Sequence, residues 1–373
     1  MRIMVIFGTR PEAIKMCPLI KELKKHSQLD TIVCLTGQHR EMLQQVMQVF
    51  GIDADENLDI MRQDQTLSDI TRRVMSGIDE MTDKYHPALI LVHGDTSTSF
   101  AAALSAFYHH IPIGHVEAGL RTHNMASPFP EEFNRQAVDL ITKFFFAPTE
   151  TAKGNLLKEG KPADDIYVTG NTAIDALRTT VNRHYRSEDL DWASDSRLIL
   201  LTAHRRENLG EPMKHIFAAV NRITREYQDV KVIFPVHKNP AVREIAHRYF
   251  DANSKVRLIE PMDVTDFHNY MAKCFLVMSD SGGVQEEAPA LGKPVLVLRD
   301  TTERPEGIEA GTLKLVGTEE EGIFEGVSRL LDDPTEYEKM SMAVNPYGDG
   351  HASERIVEVL INYAEGIDRS SVL

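Results

Sequence analysis

Cysteine is scarce in this chain. Cys17, Cys34 and Cys274 are odd in number, widely spaced and form no C-x-x-C pair, which argues against a disulfide framework and against a structural zinc site. Long apolar runs are missing too, since none reaches the ~18 residues that a membrane-crossing helix needs. The opening MRIMVIFGTRPEA has no basic segment followed by a long apolar stretch and a small-residue cleavage site, so it reads as a first strand. These absences make the cytoplasm the expected compartment. Positive charge is also short: 41 Lys plus Arg against 56 Asp plus Glu give a net charge of -15, a field that repels nucleic acid and anionic membrane surfaces. Neither is expected as a partner, and an anionic ligand must meet a local cluster of cations.

What the chain does have is length and a repeating pattern. Its 373 residues exceed the size at which one core usually stops growing, so two domains of about 150 to 200 residues are expected. Short apolar runs, each followed by a Gly-, Thr- or Ser-rich turn and a helical pattern, recur as MRIMVIFGTR, TIVCLTGQHR, ALILVHGDTS, IPIGHVEAGL and FFFAPTE. The cycle restarts with LILLTAHRRE, VKVIFPVHKN, VRLIEPM, FLVMSDSGG and PVLVLRDTT. Such βα units predict an α/β fold of two Rossmann-like, doubly wound halves with a ligand cleft between them. The junction is placed near 168 to 175, giving domains 1–169 and 170–352. The charged stretch 183–197 reads as a connector, and the amphipathic segment 353–373 is expected to pack back on the first domain.

The polar motifs all sit where a strand ends or a helix begins. Ser281-Gly282-Gly283 would let backbone N–H groups at a helix N-terminus approach a phosphate, with Glu287 one turn on to accept from ribose hydroxyls; a tight packing turn is the competing reading. Arg10 and Lys15 behind the first strand, Arg304, and His204 with Arg205 and Arg206 are read as positive charge for the same anion, against solvated helix starts. Asp95, Glu117 and Glu131 are carboxylates whose pKa burial is expected to raise, each otherwise free to cap a helix or pair with an Arg. Glu132 is the likelier of its pair to do such structural work. His93 and His115 carry ligand-type side chains, but the dense His/Asp repeats of a two-metal site are missing, so structural hydrogen bonding is the stronger reading for both.

Longer blocks sharpen this. GTRPEAIKM (8–16), GQHREML (37–43), LVHGDT (91–96), GHVEAGLRT (114–122), SPFPEEFNR (127–135), TGNTAIDAL (169–177), TAHRREN (202–208), PVHKNP (235–240), DSGGVQEEAPALGKPVLVLRDTTERPEG (280–307) and NPYGDGHASERI (345–356) resemble, in order and over essentially the whole chain, the bacterial non-hydrolysing UDP-N-acetylglucosamine 2-epimerases. The resemblance implies a GT-B architecture, a homodimer, no metal and no cofactor. The implied activity is reversible epimerisation of UDP-N-acetylglucosamine to UDP-N-acetylmannosamine for cell-surface polysaccharide; a GT-B glycosyltransferase or a non-catalytic nucleotide-sugar binder are the alternatives. Catalytic roles are implied for Asp95, Glu117, Glu131, Arg135 and His204, and substrate binding for Arg10, Lys15, Phe267 near the uracil, Ser281, Gly282, Gly283, Glu287 and Arg304. A regulatory substrate site is implied at Gln38, Glu41, Asp64, Glu131, Arg205 and His237. There Glu41 and Asp64 stand where Gln and Arg are common in the family, so activation is expected to be weak or altered.

Overall fold

A computed structural model describes residues 1–37, 40–62, 64–302 and 304–370, with the side chains of 40–42, 206 and 367–370 left aside. The chain divides into a first unit, residues 1–179 joined by the C-terminal segment from Tyr347, and a second unit, Thr180–Pro346.

The first unit is built on strands β1 (Arg2–Phe7), β2 (Asp30–Leu35), β3 (Glu56–Asn57), β4 (Leu89–His93), β5 (Ile113–Val116), β6 (Phe144–Ala147) and β7 (Ile166–Val168). They lie in the order β3-β2-β1-β4-β5-β6-β7, every pairing parallel. The second unit repeats the plan with β8 (Arg197–Thr202), β9 (Val230–Pro235), β10 (Val256–Ile259), β11 (Leu276–Ser279), β12 (Val295–Val297) and β13 (Leu313–Leu315), ordered β10-β9-β8-β11-β12-β13 and again all parallel. The inner strands are buried along their length, as continuous apolar runs covered by helices on both faces require. Strand order reverses between β1 and β4 and between β8 and β11, and ligands on such sheets bind beyond the carboxyl ends at these points.

Local chemistry fixes the turns at those ends. Thr9 caps the helix Arg10–Leu23 in a reciprocal box with Glu12, and Pro11 occupies the first turn, where its missing N–H costs nothing. The buried Glu12 carboxylate also accepts from Gly8 N–H (3.0 Å), Thr96 Oγ1 (2.7 Å) and Ser99 Oγ (3.2 Å). One carboxylate thereby ties the turn after β1 to the turn after β4.

The first unit extends past the expected boundary at 169. Asp175, in the helix Thr172–Thr180, accepts the backbone N–H of Ser353 (2.7 Å) and Ala352 (3.2 Å), and Arg355 donates to Thr169 O (2.9 Å). These bonds anchor the helix Ala352–Ser370, which packs on Arg10–Leu23. The chain therefore returns to this unit at Tyr347, earlier than the expected 353. The stretch read as a plain connector contains a short helix, Glu188–Trp192, capped by Ser187.

Candidate active site

At the carboxyl end of the first sheet, β4 and β5 are paired with His93 opposite Val116, so the residues just beyond them, Asp95 and Glu117, leave adjacent strands side by side. Glu117 has φ +71, a left-handed conformation that costs a residue with a side chain roughly 1 to 3 kcal/mol. Its N–H and that of Ala118 both donate to Phe146 O (3.0 and 3.1 Å), which holds the turn. The side chain is held as firmly. Lys15 Nζ forms an ion pair with Glu117 Oε2, Asn171 Nδ2 donates to the same oxygen at 3.0 Å, and His93 Nε2 stands 3.6 Å from it. Burial by itself would raise this carboxyl, but the Lys15 ammonium and His93 outweigh it and hold Glu117 well below the usual carboxylate range. The expectation that burial raises its pKa is corrected: the sequence shows Lys15 and Glu117 but not that they meet.

Asp95 pairs with Arg135, which also lies 3.5 Å from Glu132. Arg135 sits one turn along the helix Glu131–Ile141 from Glu131, and positions four apart share a face. Glu131 Oε2 is a buried oxygen with no hydrogen-bond partner among the described residues. Glu132 does the structural work expected of it, accepting the N–H of Thr122 (3.0 Å) and His123 (2.9 Å). His115 is likewise structural, bridging Asp139 Oδ1 (2.6 Å) and Gly94 O (2.7 Å). His93 differs: it faces Glu117, and its Nε2 has no hydrogen-bond partner among the described residues. Among the described residues no three His, Cys, Asp or Glu side chains are grouped to hold a metal ion.

At the carboxyl end of the second sheet a wholly buried Asp280 accepts the backbone N–H of His204 (2.8 Å) and Arg205 (2.9 Å) and the Asn208 amide (3.0 Å). That carboxylate shapes the turn after β8 from the end of β11. His204 stacks on His237, ring centroids 5.6 Å apart. Burial lowers the His204 pKa, Asp280 partly opposes this, and His237 and Arg205 lower it further. His204 is therefore a neutral imidazole at pH 7, not the positive charge expected of it.

Ser281 precedes the helix Gly282–Ala290 without capping it by its side chain, so the first N–H groups of that helix are not taken by a side-chain cap. A Cβ on Gly282 would sit 3.3 Å from Arg304 Cζ; the absent side chain is what lets the guanidinium lie across the helix start. Arg304 is held there by Glu286 Oε1, at 2.8 Å from Nε and 2.7 Å from Nη2. Glu287 lies 3.5 Å from His268 Nε2, His268 Nδ1 is 2.7 Å from Thr180 Oγ1, and the ring of Phe267 is 6.5 Å from that of His268.

The predicted residues thus form two groups: Lys15, Asp95, Glu117, Glu131 and Arg135 on the first sheet, and His204, Arg205, His237, Phe267, Ser281, Gly282, Gly283, Glu287 and Arg304 on the second. Arg10 opens the helix Arg10–Leu23. Lys15, read as a cation for an anion, is instead engaged with Glu117. Of the regulatory positions, Asp64 is exposed at φ +55, while Gln38 and the Glu41 side chain lie outside the described residues, as does the side chain of Arg206. His93, Asn171, Asp280 and Glu286 were not assigned from sequence. A carboxylate or amide inside a quoted block was the available signal for the last three, but which partner each meets is a matter of tertiary contact.

Residues 21–361 match the family model for UDP-N-acetylglucosamine 2-epimerase. The chain is 60% identical over 361 residues to the UDP-N-acetylglucosamine 2-epimerase of Bacillus subtilis, covering 97% of this chain and 95% of that one. A crystal structure of a UDP-N-acetylglucosamine 2-epimerase at 57% identity superposes with a TM-score of 0.91, covering 97% and 96%. That of the Neisseria meningitidis enzyme bound to UDP-GlcNAc gives 0.88 at 48% identity, covering 97% and 100%. Two doubly wound sheets of the GT-B type, the carboxylate and cation groups at their carboxyl ends, and these full-length similarities lead to one conclusion: the chain belongs to the UDP-N-acetylglucosamine 2-epimerase family.

Proposed function

We propose that the protein interconverts UDP-N-acetylglucosamine and UDP-N-acetylmannosamine by eliminating UDP and adding it back, without hydrolysis. The C2 hydrogen of the sugar is not next to a carbonyl, so a carboxylate alone does not remove it. If the C1–O bond to UDP breaks first, the electron pair leaves with UDP and positive charge develops at C1. The C2 proton then passes to a carboxylate and 2-acetamidoglucal forms. Return of UDP to C1, with a proton delivered to the other face of C2, gives the epimer.

The observation that carries this reading is the pair of differently prepared carboxylates. Glu117 is held ionised by Lys15, while Glu131 offers a buried oxygen with no partner among the described residues. A carboxylate with a lowered pKa is a weak base, yet a C2 proton beside a cationic C1 is acidic enough for one. Arg10, Arg304 and the helix start at Gly282 suit the departing diphosphate, where negative charge grows. His204, neutral beforehand, can take up a proton as it does. Glu287 suits the ribose and Phe267 the uracil.

We take the protein to be a cytoplasmic enzyme that supplies N-acetylmannosamine units for surface polysaccharide. We take the working form to be a homodimer, supported by exposed Phe107, Tyr108, Phe133 and Leu140 on two helices packed together, apolar surface that association would cover. The test is incubation with UDP-N-acetylglucosamine in heavy water and NMR of the product. UDP-N-acetylmannosamine carrying deuterium at C2 is expected. Retained protium there overturns elimination, free N-acetylmannosamine means hydrolysis, and turnover only with an added acceptor means a glycosyltransferase.

A further inference from the structure

Two donors converge on Glu117 Oε2, from Lys15 and Asn171, with His93 Nε2 standing off at 3.6 Å, whereas no protein hydrogen bond to Oε1 is found among the described residues. One oxygen is anchored and the other is left for chemistry. Of the two donors, Asn171 is the one whose orientation the backbone dictates. Its N–H donates to Tyr347 O at 2.7 Å, and its Oδ1 accepts the N–H of Ala173 at 2.9 Å at the start of the helix Thr172–Thr180. With the amide oxygen so committed, Nδ2 has to point at the carboxylate, which fixes the amide assignment from the network.

The chain brings Tyr347 close enough only because glycines meet there. Gly170 and Gly348 have φ +90 and +129. A Cβ on Gly170 would lie 3.2 Å from Gly348 Cα and 3.4 Å from Tyr347 O, and one on Gly348 would lie 3.2 Å from Gly170 Cα and 3.4 Å from Asn171 N. Asn171 and Tyr347 are each 3% exposed, so the arrangement is packed and leaves the amide no solvent alternative.

We propose that Asn171 is a positioning residue: clamped by Tyr347 O and Ala173 N–H, it pins Glu117 Oε2 so that Oε1 is the oxygen presented to the C2 proton. The proposal rests on the assignment of Glu117 as a proton carrier. A carboxylate free to rotate about its terminal bond would spend part of its time with the wrong oxygen forward, and turnover would fall while substrate binding persisted.

The test uses Asn171→Ser and Asn171→Asp, both able to keep the helix cap on Ala173 N–H while losing the donor to Glu117. Asn171→Ser is expected to lower kcat by about 10- to 100-fold, as loss of a hydrogen bond to a charged group does, with the KM for UDP-N-acetylglucosamine and the melting temperature near those of the parent. Asn171→Asp sets a second carboxylate against Glu117 and is expected to move the acidic limb of the kcat profile up by about one pH unit. Parent kcat and an unmoved profile in both variants overturn the proposal, and so does a loss of kcat that merely tracks loss of folded protein. Glu117→Gln run beside them separates the two ideas. If it turns over normally the assignment of Glu117 fails; if it is inactive while both Asn171 variants behave as the parent, only the role of Asn171 fails.

Discussion

The Lys15 ammonium rests on Oε2 of Glu117, an ion pair whose side chains are 17% and 10% exposed. Removing one member of a pair this buried leaves an uncompensated charge, at a cost of about 3 to 5 kcal/mol. Lys15→Met should therefore lower the melting temperature and turnover together. The sign for pH follows from the lowered Glu117 carboxyl: its stabilising contribution is present above the unfolded carboxyl pKa and lost as pH falls through the folded one. In Lys15→Met the folded carboxyl is lowered less, so that loss should be smaller and be complete at a higher pH. Adding Glu117→Gln should restore much of the stability and none of the activity, as urea unfolding and product assays would show.

Arg304 and Glu286 make a second pair, with Glu286 only 3% exposed on its side chain. Arg304→Lys keeps the charge but loses the planar fork that contacts Glu286 through two nitrogens. Calorimetry should find UDP affinity reduced by roughly 10-fold or more, since a donor misplaced at the helix start no longer faces the diphosphate. Gly282→Ala should act in the same direction by pushing the guanidinium away from the 3.3 Å approach. Unchanged UDP affinity in both variants would remove this corner from the nucleotide site.

His204 has its pKa lowered chiefly by burial, so the unfolded state binds a proton at higher pH than the folded one. Stability should decline as pH falls below the unfolded value near 6.5, and His204→Asn should flatten that decline. Bound UDP would favour the imidazolium. Titration calorimetry in two buffers of different ionisation enthalpy should thus reveal proton uptake on UDP binding at pH 7, smaller in His204→Asn.

Asp95→Asn and Glu131→Gln keep shape while removing basicity. Each should lower turnover by about 100- to 10,000-fold, the usual range for a lost general acid or base, with UDP affinity largely kept. Asp95→Asn also deprives Arg135 of one of its two ion pairs, so its melting temperature should fall further than that of Glu131→Gln.

Asp64 is exposed, and in the regulatory site that the family resemblance implies, Asp64 and Glu41 would add negative charge facing that of a second nucleotide. Added UDP-N-acetylglucosamine should activate the reverse reaction weakly, and Asp64→Arg should strengthen the effect. Strong activation of the parent protein in a steady-state assay of UDP-N-acetylmannosamine consumption would contradict this.

The sequence by itself determined the α/β class and the placement of the candidate residues at strand ends. Every apolar run read as a strand became one of β1, β2, β4, β5, β6 or β8 to β12, because a strand buried on both faces must be continuously apolar. The strands it did not announce, β3, β7 and β13, have two or three residues each and lie at sheet edges, where pairing on one side suffices and leaves little pattern to read. Asp95, Glu117, Glu131 and Arg304 stood out as candidates because they are charged residues at strand ends or helix starts, where ligands on such sheets bind. Only the tertiary structure decided what each side chain meets: that Lys15 reaches Glu117 across 102 positions, that Asp280 gathers the turn of His204, and that the lowered carboxyl and the neutral imidazole follow. Ionisation depends on burial and on charges a few ångströms away, and those distances exist only once the chain has folded.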